Sequence, residues 1–227
     1  METVGVIGGG QMGSQIAALA AMAGYETHVY DSDSENLKSK IKFTEDNLLN
    51  LIDKGRYEKS KLDNFKEHLH SSESIDETIN KKSFVIEAVV ERLDIKLEIF
   101  ENISKKLDEN VVLATNSSFI PASEIAKSCE HPSRFINMHF FYPPIRMDLV
   151  EISYPVETNK ETIERTQTLG KDMGRTVITC KKETPGFIVN RMLAALTDEA
   201  YQLYDEGIAD FKDCLLYTSP SPRDRVL

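Results

Sequence analysis

Short apolar runs alternate with longer amphipathic stretches along most of the chain. Val4 to Ile7, Glu26 to Asp31, Ser83 to Val89, Val111 to Thr115, Arg134 to Phe141, Leu149 to Ser153 and Thr176 to Cys180 read as strands. Several of these runs are apolar at consecutive positions, as in strands buried on both faces. Between them lie helical patterns. Gln15 to Ala23 is rich in alanine, Asp94 to Leu107 is charged, and Glu161 to Met173 is closed by Gly174. Leu37, Ile41, Leu48, Leu51 and Ile52 recur at helical spacing, Gly55 interrupts them, and Tyr57 to Leu69 resumes, which predicts a helical hairpin. Alternating strands and helices predict an α/β fold with a doubly wound, mostly parallel sheet. From Thr184 the pattern changes. Thr184 suits an N-cap and Pro185 the first helical position, and apolar residues continue through Met192, Leu193, Leu196, Ala200 and Leu203. A helix this apolar needs a cover, so it reads as the start of an all-α C-terminal domain. The predicted organisation is a domain over 1–182, the first part of a truncated helical domain over 183–213, and a separate tail over 214–227.

The first strand runs into a glycine turn, Gly8-Gly-Gly-Gln-Met-Gly13, in which Gly8, Gly10 and Gly13 satisfy G-x-G-x-x-G. The first glycine allows the tight turn. The second lets a pyrophosphate approach the backbone, and the third lets helix and strand pack closely. Gln11 and Met12 stand at the helix start, where N–H groups and the dipole favour phosphate. Asp31 ends the second strand, eighteen residues after Gly13, where a carboxylate would hold the adenosine ribose hydroxyls. The fold is therefore expected to be Rossmann-type, with the hairpin as an insertion. No Arg or Lys directly follows Asp31, so a ribose phosphate would meet only negative charge, which favours NAD over NADP.

Composition narrows the partners. The 227 residues are 41% hydrophobic and 28% charged, as in a soluble globular protein. A net charge of −10 argues against nucleic acid. No apolar run is long enough to span a membrane. The chain enters a strand at once, so no signal peptide is expected. Cys129, Cys180 and Cys214 lack metal-ligand spacing, which reads as thiols in a reducing cytoplasm with no metal site. Against the acidic whole, positions 38 to 66 carry eight basic residues and five acids. They form either an ordinary solvated helix face or a clamp for an anionic substrate tail.

Candidate chemistry gathers at strand ends. His139 ends the strand Phe135-Ile-Asn-Met-His-Phe-Phe, as either a core histidine satisfied by backbone or a catalytic one. Glu151 stands among apolar residues in Leu149-Val-Glu-Ile, and a buried carboxylate is costly unless paired. A histidine partner would stabilise it and fix the imidazole tautomer, so the two read as a general acid/base pair. Ser118 and Asn190 are candidates to hydrogen-bond a reacting oxygen.

With these residues in view, the sequence resembles the L-3-hydroxyacyl-CoA dehydrogenase family, which includes 3-hydroxybutyryl-CoA dehydrogenases. The matching motifs are Gly8-Gly-Gly-Gln-Met-Gly13, Glu87-Ala-Val-Val-Glu91, Asn116-Ser-Ser, His139-Phe-Phe-Tyr-Pro, Leu149-Val-Glu-Ile and Thr184-Pro-Gly-Phe-Ile-Val-Asn-Arg. The resemblance implies NAD-dependent, reversible oxidation of a 3-hydroxyacyl-CoA in fatty acid metabolism. It implies that His139 takes the hydroxyl proton, Glu151 orients it, and Ser118 (or Ser117, one slip away) and Asn190 bond the substrate. It also implies that Glu91 and Lys96 lie near the cofactor, that Lys54 of the hairpin contacts coenzyme A, and that the parent enzyme dimerises through its helical domain. Tyr142 stands where the family usually has Asn, and Arg146 and Asp148 alter the loop before Glu151. Two other readings stay open: a dehydrogenase of a non-CoA hydroxyl compound of the L-gulonate or carnitine type, and a non-catalytic NAD-binding fragment.

The tail departs from this pattern. Cys214-Leu-Leu-Tyr-Thr-Ser-Pro-Ser-Pro-Arg-Asp224 has two prolines and no helical period. It coincides with the translation of a transposon-end adapter used in sequencing libraries. Residues from 214 onward are therefore expected to be a non-native tail on a truncated gene, leaving the enzyme impaired.

Overall fold

Strand β1 (Thr3–Ile7) lies inside an eight-stranded sheet, and the chain winds away from it in both directions. The computed structural model describes residues 2–218. On one side β1 pairs with β2 (Glu26–Tyr30), and β3 (Leu69–Ser71) lies beyond it. On the other side follow β4 (Phe84–Glu87), β5 (Val112–Thr115), β6 (Phe135–Phe140), β7 (Leu149–Ser153) and β8 (Thr176–Thr179). The β6–β7 pairing is antiparallel and the other pairings are parallel. Strand order reverses between β1 and β4, so a crevice opens at their carboxyl ends, where ligands of open α/β sheets bind.

Side chains alternate between two cores with the period of a strand. Val4, Val6, Phe84, Ile86, Val112 and Ala114 enter one cluster, which also holds Ile16 and Leu19 of helix α1 (Gly13–Met22). Ile7, Val85 and Leu113 enter the other, with Phe100 and Ile103 of α5 (Leu93–Ser104) and Ile125 of α6 (Ala122–Ala126). Every residue of α1 is buried, which its small side chains permit. The hairpin is α2 (Ser34–Asp53) and α3 (Ser60–His68), with Gly55 left-handed at φ 70° between them. Leu48, Leu51, Leu62 and Phe65 of the hairpin form a third cluster with Ala18, Met22 and the loop residue Ile145. Two further helices are α4 (Ile75–Ile79) and α7 (Lys160–Asp172).

The chain divides into two compact units, Met1–Thr184 and Pro185–Leu227. The second contains α8 (Val189–Asp205) and α9 (Phe211–Thr218). On α8, Met192, Leu193 and Leu196 are exposed. No helix among the described residues is long and apolar enough to cross a membrane.

The structure corrects the start of α8. Gly186 and Phe187 are left-handed, with φ of 74° and 48°, so a right-handed helix cannot run through them. Pro185 falls in a turn and Ile188, not Thr184, is the N-cap. The stretch from Cys214 also differs, because α9 extends to Thr218. The Asp210 carbonyl accepts the amides of Asp213 and Cys214 at 2.9 and 3.2 Å, which starts the helix ahead of the tail. The rest of the expected tail, 219–227, lies outside the described residues. Strand β3 and helices α4 and α6 are too short to carry a legible period.

Candidate active site

The glycine turn forms one wall of a groove of about 650 Å³ at the carboxyl ends of β1, β2 and β4. Gly8 is left-handed, and a Cβ there would meet the backbone of Ala88 and Val89 at 2.8 Å. A Cβ on Gly13 would stand 1.7 Å from the Gly8 carbonyl, so only glycine lets α1 start so close to β1. A Cβ on Gly10 would meet nothing within 4 Å and would project into open space. Protein packing does not require glycine at that position, whereas close approach of a ligand does. Gln11, Met12 and Asp31 also line the groove, and no side chain caps the N-terminus of α1. Asp31 Oδ2 accepts from the Gly9 amide at 2.8 Å and Oδ1 from the Asp33 amide at 3.0 Å, which fixes the carboxylate at the groove edge. These residues fit a dinucleotide.

At the same edge of the sheet, β6 and β7 place His139 directly across from Glu151. His139 Nδ1 lies 3.1 Å from Glu151 Oε2, and both side chains are buried. With Nδ1 donating to the carboxylate, the neutral imidazole carries its lone pair on Nε2. Burial pushes the imidazole below its ordinary pKa, against the opposing pull of Glu151 and Glu91. The ring is thereby kept neutral and able to accept a proton near pH 7.

A second carboxylate organises the loop after β5. Glu91 Oε1 accepts from the Ser117 hydroxyl at 2.5 Å and from the amides of Ser118, Phe119 and Ile120 at 3.0, 3.0 and 3.3 Å. Burial works against its charge. The Ser117 hydroxyl, the Lys96 ammonium and the loop amides outweigh that and hold the carboxyl below its usual range. Ser117 is fully buried and its hydroxyl oxygen also accepts the Ile120 amide at 2.8 Å, whereas Ser118 is half-buried on the loop.

Lys96 is 1% exposed, with Nζ 2.7 and 3.0 Å from the oxygens of Glu87 and 3.3 Å from Glu91. A buried ammonium requires such partners, and its sequence neighbour Ile95 lines the groove. Lys54 is exposed at the end of α2. Asn190 lies in the first turn of α8, in the second unit.

Glu87 and Asn116 stand in motifs singled out in the sequence, but no role for either was legible there. Glu87 is fully buried, bonded to Lys96 and Thr115, and it accepts the Val89 amide at 2.7 Å. The argument that singled out Glu151, a carboxylate inside an apolar run, applies equally to it. Asn116 Oδ1 accepts the Phe140 amide at 2.9 Å and so ties the β5 loop to the residue after His139.

The chain is similar to known proteins. The family model described as "3-hydroxyacyl-CoA dehydrogenase, NAD binding domain" matches residues 3–184, and that of the C-terminal domain matches residues 186–214. The chain is 35% identical to a mitochondrial hydroxyacyl-coenzyme A dehydrogenase of Sus scrofa over 218 residues, which is 94% of this chain and 69% of that protein. It is 32% identical to a 3-hydroxybutyryl-CoA dehydrogenase of Clostridioides difficile over 204 residues, 90% of this chain and 72% of that one. The crystal structure of (S)-3-hydroxybutyryl-CoA dehydrogenase from Ralstonia eutropha superposes with a TM-score of 0.88 at 31% identity, covering 98% of this chain and 79% of the other. On the match of both domain models in order, with the glycine turn and the fold they require, this chain belongs to the 3-hydroxyacyl-CoA dehydrogenase family.

Proposed function

We propose that the chain catalyses the reversible, NAD-dependent oxidation of the 3-hydroxyl of an L-3-hydroxyacyl-CoA to the 3-oxoacyl-CoA. The His139–Glu151 contact, at the edge of the sheet that carries the glycine cradle, is the observation that carries this reading. NAD, when bound, supplies the hydride acceptor. His139 Nε2 takes the hydroxyl proton as general base, and in the reverse direction its imidazolium returns it. Glu151 holds the ring in the productive tautomer and balances the imidazolium charge. Ser118 hydrogen-bonds the reacting oxygen, on a loop whose shape Glu91 fixes. Lys54, on the basic hairpin, meets the phosphates of coenzyme A. A reducing compartment such as the cytosol suits the free thiols of Cys129, Cys180 and Cys214.

Free coenzyme A should inhibit NADH consumption with acetoacetyl-CoA competitively. Indifference to it would instead favour a non-CoA hydroxyl substrate. The pH dependence follows from His139. Oxidation needs the neutral ring, and burial lowers its pKa, so kcat/KM for oxidation should fall only as pH drops below the ordinary histidine value of about 6.5. An acid limb centred above that value would contradict this assignment. Asp31→Ala should narrow the preference for NAD over NADP, as measured by the ratio of the two kcat/KM values. An unchanged ratio would take Asp31 off the ribose.

A further inference from the structure

The loop from His139 to Glu151 is fastened to the helical hairpin. Arg56, which follows the Gly55 turn, donates from Nη2 to both carboxylate oxygens of Asp148 at 3.0 and 3.1 Å, and also to the Arg146 carbonyl. The Tyr57 hydroxyl donates to the Ile145 carbonyl at 2.8 Å. Arg146 Nη2 donates to Asn47 Oδ1 of α2 at 2.8 Å. From beneath, the buried Arg175 donates to the carbonyls of Pro144 and Met147 at 3.1 and 2.6 Å, and to the Tyr57 hydroxyl at 3.0 Å. Ile145 is itself seated in the hydrophobic cluster of the hairpin.

The loop runs directly into β7, and Asp148 is three residues ahead of Glu151. Arg56 and Asp148 are largely exposed, and an exposed pair of this kind contributes little to stability. Its contacts, from one nitrogen to the carboxylate and to the loop backbone, instead tie the loop in place. We propose that Arg56 is a positioning residue: through Asp148 and the loop backbone it holds Glu151, and with it the His139 imidazole, in a fixed frame with the hairpin. The proposal rests on the dehydrogenase reading above.

The test compares Arg56→Gln, Asp148→Asn and the double variant on acetoacetyl-CoA and on acetoacetyl-N-acetylcysteamine, a thioester without the nucleotide. Each single variant should lower kcat roughly tenfold on both substrates, within the hundredfold that a 1 Å misplacement can cost. The double variant should lose no more than either single one, and thermal unfolding should be unchanged. The His139 imidazole, titrated by NMR, should move toward its ordinary pKa in each variant as the site loosens. Unchanged kcat with unchanged His139 titration overturns the proposal. So does a loss confined to KM for acetoacetyl-CoA in Arg56→Gln with Asp148→Asn silent, which makes Arg56 a direct anion contact. If the parent chain turns over neither thioester, the dehydrogenase reading fails, and the His139 titration still decides the clamp: a shift supports it and an unmoved titration overturns it.

Discussion

His139→Gln lowers turnover by about 10²–10⁴-fold, the range supplied by a general acid or base, while NADH binding is retained. Glutamine keeps an amide N–H to offer Glu151, so the buried carboxylate is not orphaned and the β6–β7 pairing stays intact. What it lacks is a group that accepts a proton near neutral pH. Steady-state rates with acetoacetyl-CoA, set beside a fluorescence titration with NADH, separate the two effects. Turnover equal to that of the parent chain would remove His139 from the chemistry.

Gly10→Val abolishes tight NADH binding and leaves the fold unharmed. The position is open to 4 Å on the protein side, so the added side chain displaces only what the groove would hold. Losing one or two hydrogen bonds to a charged phosphate costs about 3 kcal/mol, or roughly a hundredfold in Kd. Gly13→Ala behaves in the opposite way. Its Cβ would stand 1.7 Å from the Gly8 carbonyl, so strand and helix must separate. Overpacking of that kind costs about 1–3 kcal/mol or more and appears as a lower Tm. Thermal unfolding and NADH titration of both variants test the pair. A Gly10→Val protein that binds NADH as the parent does would mean that the pyrophosphate does not lie over Gly10.

Much of this architecture is legible in the chain because buried strands announce themselves as apolar runs between glycines and polar helices. β3, α4 and α6 are not legible, since three to five residues hold no period. His139 and Glu151 each stand out by local context. The antiparallel register that sets them opposite one another is a tertiary fact. The serines show the limit more sharply. Ser117 and Ser118 are indistinguishable in sequence, and it is Glu91, 26 residues away from Ser117, that claims the Ser117 hydroxyl. The surroundings of Lys96 are hidden for the same reason, because only packing tells a buried ammonium that serves two carboxylates from an exposed one. The start of α8 fails on backbone conformation. Thr184-Pro-Gly has the composition of a helix N-terminus, but Gly186 and Phe187 adopt left-handed angles that postpone the helix to Val189.

The central claim is that this chain moves hydride between NAD and a 3-hydroxyacyl-CoA, with His139 handling the proton. The most direct measurement is NADH consumption with acetoacetyl-CoA on the full chain, with the His139→Gln protein as control. The account predicts one 3-hydroxybutyryl-CoA formed for each NADH consumed, and a loss of that activity in the control. NADH that binds but is not consumed, or consumption that persists without His139, would contradict it.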